Sequence, residues 1–225
     1  MEISIDTASE TASVALSNKG LTVAEYAWNC HRRHSVELLP TIEQLLKRVD
    51  SSVEDISAVF VCTGPGLYTG LRVGISTAQG LSYSLGVPLL GVGRLELDSF
   101  PYLSYEGNIV PIHDAGRGEV AWAIYKRGLD GDMEEIKPPA LNEPESLPDK
   151  LLKDSLICGD VSGDVGAMVK DLCNDIKIAV PIFSVRHASY LALLGYKRLV
   201  DGAKADPAYL KPIYLRQAVV QSKNH

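Results

Sequence analysis

Two widely separated stretches of this 225-residue chain open in the same way, and that recurrence limits the folds open to it. Ile3-Ser4-Ile5-Asp6 alternates apolar and polar residues and ends in Asp, and Val110-Pro111-Ile112-His113-Asp114 has the same form. Each is followed within a few residues by a second alternating run, Val14-Ala15-Leu16 in one case and Val120-Ala121-Trp122 in the other. Alternation with a period of two is a strand signal. In the first half, Leu21–Trp28 completes a hairpin across Asn18-Lys19-Gly20. Residues 35–49 then place Val36, Leu39, Ile42, Leu45, Leu46 and Val49 on one helical stripe. Pro40 removes a backbone donor there, which predicts a kink or a helix start near Leu39. Ala58–Cys62 is a continuous apolar run, as a strand buried on both faces requires. A helix over about 71–85 stops at Gly86 with Pro88 beyond, and Leu89–Val92 is another short strand.

The second half, beginning near Pro101, follows a similar order. A strand at Leu156–Cys158, a helix at Gly163–Leu172, a strand at Ile176–Val180 and a helix at Ala188–Val200 are predicted. Chance similarity of two short strand–turn units competes with a true repeat, but the repeated element order favours two related α/β lobes. We divide the chain into a first lobe at 1–100, a smaller second lobe at 101–206, and a C-terminal segment at 207–225 returning to the first lobe.

Charge and cysteine content narrow the function classes. The chain has 22 Lys+Arg against 28 Asp+Glu and a net charge of −6, so a basic face for autonomous nucleic-acid binding is not expected. Eight acids and three lysines fall between Leu129 and Asp154, leaving the rest of the chain near neutral. No apolar run approaches the ~20 residues of a membrane span. The opening Met1-Glu2-Ile3 has no basic region of the signal-peptide type. Cys30, Cys62, Cys158 and Cys173 show no paired spacing, which fits a reduced, cytoplasmic compartment.

Several residue groups could carry chemistry. Gly64, Gly66 and Gly70 lie between a strand and a helix, where backbone N–H groups can cradle a phosphate. They fit neither G-x-G-x-x-G nor a P-loop, and a tight turn is an equal reading. Asp6 and Asp114 end paired strands, as aspartates facing a nucleotide and metal do in two-lobed ATPases, although an Asp after a strand is also an ordinary turn former. With Thr7, Gly159 and Gly163 they form the candidate nucleotide-facing set. Cys30, His31 and His34 cluster, but a zinc site wants three or four ligands and no second group offers the rest. Gly70, Gly74 and Ala78 recur at every fourth position and leave a stripe with almost no side chain. Such a stripe permits close helix approach, either to the protein's own sheet or to a partner.

The chain resembles a known family at these residues. Ile3-Ser4-Ile5-Asp6-Thr7-Ala8, His34-Ser35-x-x-Leu38-Leu39-Pro40, Thr63-Gly64-Pro65-Gly66-Leu67-Tyr68-Thr69-Gly70-Leu71-Arg72-Val73-Gly74, Asp114-Ala115-x-Arg117-Gly118-Glu119-Val120 and Pro212-Ile213-Tyr214-Leu215-Arg216 are similar to the TsaB (YeaZ) family, in order along nearly the whole chain. The resemblance implies a two-lobed ASKHA (actin/hexokinase-like, RNase H-like) fold. It implies a non-catalytic part in making N6-threonylcarbamoyladenosine beside the tRNA anticodon. In that pathway a separate enzyme makes threonylcarbamoyl-adenylate, the catalytic paralogue TsaD transfers the group, and the ATPase TsaE supports turnover. Family members pair with TsaD through first-lobe helices and form homodimers alone. The implied partner surface carries Leu39, Ile42, Leu46, Gly70, Gly74 and Ala78, with Arg72 beside the small stripe. tRNA is then reached only through the complex. The chain alone holds no cofactor or metal, and ATP or ADP would lie at the partner interface. Where TsaD has a metal-binding His-x-x-x-His, this chain reads His34-Ser35-Val36-Glu37-Leu38, and Gly116 stands where the family often has Arg. The alternatives are an independent ATPase or kinase using Asp6, Asp114 and the Gly159-Asp160-x-x-Gly163 loop, a metalloprotease, and a purely self-associating protein.

Overall fold

A computed structural model describes residues 1–161, 163–173, 176–179, 186–203 and 207–216. The first sheet is built from β1 (Glu2–Asp6), β2 (Thr11–Asn18), β3 (Leu21–Asn29), β4 (Ala58–Cys62) and β5 (Leu89–Val92), in the order β3-β2-β1-β4-β5. The second is built from β6 (Asn108–Gly116), β7 (Glu119–Arg127), β8 (Met133–Asn142), β9 (Ser155–Gly159) and β10 (Lys177–Ile178), in the order β10-β9-β6-β7-β8. Each sheet pairs its first three strands antiparallel and adds two parallel strands beside the first. The two sheets therefore have the same topology. All five residues of β1 and all five of β4 are buried, as central strands covered on both faces must be.

Helix α1 (His34–Arg48) and helix α2 (Tyr68–Leu85) cover one face of the first sheet. Leu38, Ile42, Leu45 and Leu46 of α1 and Ile75 and Ala78 of α2 pack there with Ile3, Ile5, Val14 and Val61. The expected start of α1 near Leu39 is corrected: the helix begins at His34 and runs through Pro40. Two left-handed residues, His31 (φ 42°) and Arg32 (φ 66°), turn the chain just before it. Pro40 is exposed, so the carbonyl it leaves without a helical donor can be met by solvent. Helix α2 ends as its sequence predicts, at a left-handed Gly86 (φ 67°) with Val87 N–H bonded to Ser82 O.

The strands divide near residue 100, but the helices do not. Helix α3 (Arg94–Ser99), which follows the last strand of the first sheet, packs on β6, β7 and β9. Helix α5 (Ala188–Val200), which follows the last strand of the second sheet, packs on β1 to β5. The lobes thus exchange a helix, and the placement of residues 101–206 in one lobe is corrected for α5. Phe60 meets Leu191 and Leu194 of α5 in one core, and Leu95 of α3 meets Ile109 and Cys158 in another. Helix α4 (Gly163–Leu172) covers the remaining face of the second sheet through Val169. The expected strand at Ile176–Val180 shrinks to Lys177–Ile178 within the described residues, and Val180 lies outside them.

Residues 207–216 run along the first lobe. Gln79 Nε2 donates to Pro207 O (2.6 Å) and Leu210 O (3.1 Å), and Ile213 N–H donates to Thr63 O (2.8 Å). Residues 217–225 of the expected C-terminal segment lie outside the described residues. Among the described residues no helix is long and apolar enough to cross a membrane.

Candidate functional site

Two regions could serve function: the cleft between the lobes and the outer side of α1 and α2. The cleft encloses about 1850 Å³. The loop after β1 (Ala8, Ser9), the glycine loop (Pro65, Gly66), α3 (Arg94, Asp98) and the strand ends at His113, Asp114, Gly159 and Asp160 all border it. Tyr68 and Tyr214 stack at its mouth with ring centroids 5.4 Å apart, and the Arg72 guanidinium lies 4.7 Å from the Tyr68 ring.

The structure redistributes the nucleotide-facing candidates. Asp6 is 2% exposed and does not border the cleft, because Arg186 holds it. Arg186 Nε donates to Asp6 Oδ2 (2.8 Å) and Arg186 Nη2 to Ser9 Oγ (3.0 Å), while Ala8 N–H donates to Asp6 Oδ1 (2.8 Å). Thr7 is corrected more sharply: it is 1% exposed, lies under α2, and donates from Oγ1 to Gly70 O (2.8 Å). Asp114 does border the cleft, but its Oδ1 accepts from Gly116 N–H (2.7 Å), the turn-forming bond of an Asx residue. Gly159 borders the cleft in a left-handed conformation (φ 84°), whereas Gly163 starts α4 away from the lining.

The glycine loop is closed against the protein itself. Leu67 N–H donates to Ala8 O (2.8 Å), and a Cβ on Gly66 would lie 2.1 Å from that oxygen. The turn brings two backbones together where only glycine fits.

Burial and charge set the protonation states at the cleft base. Burial pushes the Asp6 carboxyl up, but the Arg186 charge and hydrogen bonds outweigh it and hold the acid below the ordinary 3.8. Burial lowers Arg186, yet Asp6 and Asp98 raise it further, so it stays charged. Burial, with the nearby Arg94 charge, pulls His113 down to about 4, so its ring is neutral near pH 7. Both depressed groups stabilise the fold above their unfolded values and lose that contribution as pH falls toward their folded ones. Stability should therefore fall between pH 6.5 and about 4 through His113 and continue to fall below 3.8 through Asp6. In urea titrations Asp6→Asn should be weaker than the parent at pH 7. That gap should narrow toward pH 3; a gap constant with pH would remove Asp6 from the acid limb.

The Cys30 and His34 pair is structural in its geometry. His34 Nε2 lies 2.8 Å from Ser9 O and 3.0 Å from Cys30 Sγ, and Cys30 Sγ donates to Glu10 O (2.9 Å). Burial raises the Cys30 thiol above its usual value. Among the described residues no three His, Cys, Asp or Glu side chains come together to hold a metal ion.

The helix face differs from its expected form. Gly70, Gly74 and Ala78 do not open on solvent: all are buried, and Ile42 and Leu46 are only 4% and 5% exposed. A Cβ on Gly70 would lie 2.2 Å from Thr7 O, and one on Gly74 2.1 Å from Thr7 Oγ1. The small stripe is thus filled by the chain's own β1 loop, and these five residues are corrected from partner contacts to core. Leu39 and Val36 of α1 are instead 57% and 62% exposed, Arg72 is exposed, and Tyr83 on α2 is 86% exposed. Exposed apolar side chains on one helix pair are the residue types that a protein interface covers. Sequence reasoning passed over Arg186, Arg94, Asp98 and Tyr83, and only the helical phase of Tyr83 offered a local signal.

Residues 28–149 match the family of TsaD, tRNA N6-adenosine threonylcarbamoyltransferase. The chain is 36% identical over 138 residues to the Bacillus subtilis tRNA threonylcarbamoyladenosine biosynthesis protein TsaB, covering 60% of this chain and 59% of that protein. It is 29% identical to the Escherichia coli TsaB over 98% of this chain and 96% of that one. The solved YeaZ from Pseudomonas aeruginosa superposes with a TM-score of 0.77 at 23% identity, covering 96% of this chain and all of that one. A ROK hexokinase from Thermus thermophilus superposes with a TM-score of 0.50 at 8% identity, covering 89% and 99%, which places the fold in the actin/hexokinase-like class.

Proposed function

Because the chain belongs to the TsaB (YeaZ) family, we propose that it serves in threonylcarbamoyladenosine biosynthesis on tRNA by docking on and activating a TsaD-type catalytic paralogue. The observation that carries this reading is the exposure of three large apolar side chains on α1 and α2, Val36, Leu39 and Tyr83, on helices fixed beneath by their packing on β1. Rigid support lowers the ordering cost that a docking face would otherwise impose on association.

In this reading the chain is not itself an enzyme. Three candidate acids are engaged internally: Asp6, beneath the cleft, with Arg186, and Asp98 and Asp114, which line it, with Arg94 and with the Asp114 turn. A TsaE-type ATPase joins through the catalytic paralogue, and ATP or ADP, where required, binds at the partner interface. With net charge −6, the chain reaches tRNA only through the complex, in the cytoplasm. The same face pairs two copies when the paralogue is absent.

Cells lacking this protein should lose N6-threonylcarbamoyladenosine from their tRNA. The parent gene should restore it. Unchanged modification in the deletion strain would remove the chain from the pathway.

A further inference from the structure

We propose that an alternating chain of buried charges locks the angle between the two lobes. It starts at Asp6, at the end of β1 in the first sheet, and passes to Arg186 (2.8 Å). Arg186 Nη1 then faces Asp98 Oδ1 of α3 (3.8 Å), whose other oxygen faces Arg94 Nε (3.3 Å). Arg94 Nη1 donates to His113 Nε2 on β6 (2.9 Å), and His113 Nδ1 faces Asp160 Oδ2 beyond β9 (3.7 Å). An arginine only donates, so His113 Nε2 is the acceptor and its hydrogen sits on Nδ1, toward Asp160.

The placement of these groups is what makes them a lock. Any hinge motion must turn about the segments that cross between the sheets. One is α3, which supplies Arg94 and Asp98; the other enters α5, and Arg186 stands just ahead of it. Asp98 joins the two crossings by facing both arginines. Rotation would pull Arg186, held on the first lobe by Asp6, from Asp98, held on the second by Arg94, and each buried charge would lose one of its two partners. The side chains of Asp6, Arg94 and Asp98 are 2%, 4% and 6% exposed, and that of Arg186 13%, so water offers little compensation. An apolar contact could slide; a directional charged one in low dielectric has few alternative arrangements. This inference does not depend on what docks on α1 and α2.

Spin labels at Glu43→Cys on α1 and Lys170→Cys on α4 report the lobe separation, since both sites are exposed and the four native cysteines are buried. Pulsed electron–electron resonance on the labelled full chain should give a single narrow distance distribution. Arg186→Met should broaden it or add a second distance. If Arg186→Met does not fold, the paired Asp6→Asn/Arg186→Met variant, which leaves no buried charge at that end, carries the test. Distributions as narrow as the parent's and at the same distance in the folded variants overturn the proposal.

Discussion

Replacing Gly70 by alanine should lower the unfolding free energy by about 3 kcal/mol, the upper part of the range for overpacking a close contact. For a chain of this size that is a fall of roughly 6–12 °C in melting temperature. The new methyl would sit 2.2 Å from the Thr7 carbonyl oxygen and 3.2 Å from His34 Nε2. Neither neighbour moves cheaply. Thr7 follows the central strand β1, and its hydroxyl holds Gly70 O; His34 is tied to Ser9. Alanine is the better helix former by roughly 1 kcal/mol, so a destabilised variant is evidence of the packing and not of propensity. Gly80 on the same helix is the control: a Cβ there meets nothing within 4 Å, and Gly80→Ala should be neutral or stabilising. Equal melting temperatures for the two variants would mean that the small stripe does not pack on Thr7.

Leu39→Glu should do the opposite, leaving stability nearly unchanged and damaging association. Leu39 is 57% exposed, and surface changes of this kind stay within about 0.5 kcal/mol. A carboxylate placed in the centre of an apolar contact removes its hydrophobic contribution and must be desolvated. A central interface residue is worth about 2 kcal/mol or more, which is about 30-fold in affinity. Modified adenosine in cells carrying only this variant should fall accordingly, while the protein remains folded and present.

The contrast between these variants shows where sequence was legible. The spacing of Gly70, Gly74 and Ala78 announces a close approach but not the identity of what approaches. The occupant is Thr7, more than sixty positions away, and local periodicity carries no such information. Strands β4 and β5 and helices α4 and α5 were readable to the residue, because an apolar run or a full amphipathic period lies between clear stops. Strand β8 was passed over because Lys137-Pro138-Pro139 and the flanking acids break its alternation. Proline is tolerated there because β8 is the edge of its sheet. Helix α3 has six residues, too few to show a period, yet it holds Arg94 and Asp98. Arg186 carried no local signal. Its meaning comes from Asp6, 180 positions away, and from the helix exchange that brings the start of α5 to the first sheet. The motif-bearing loops were legible as features, but their chemistry was not, because glycine before a helix serves backbone packing and phosphate binding equally well.

The most direct measurement is calorimetric titration of the purified chain with its TsaD-type paralogue, run in parallel with Leu39→Glu at matched melting temperature. The parent should bind saturably, and the variant should bind about 30-fold more weakly. Equal affinities would place the interface away from α1, and no binding by the folded parent would contradict the proposed function itself.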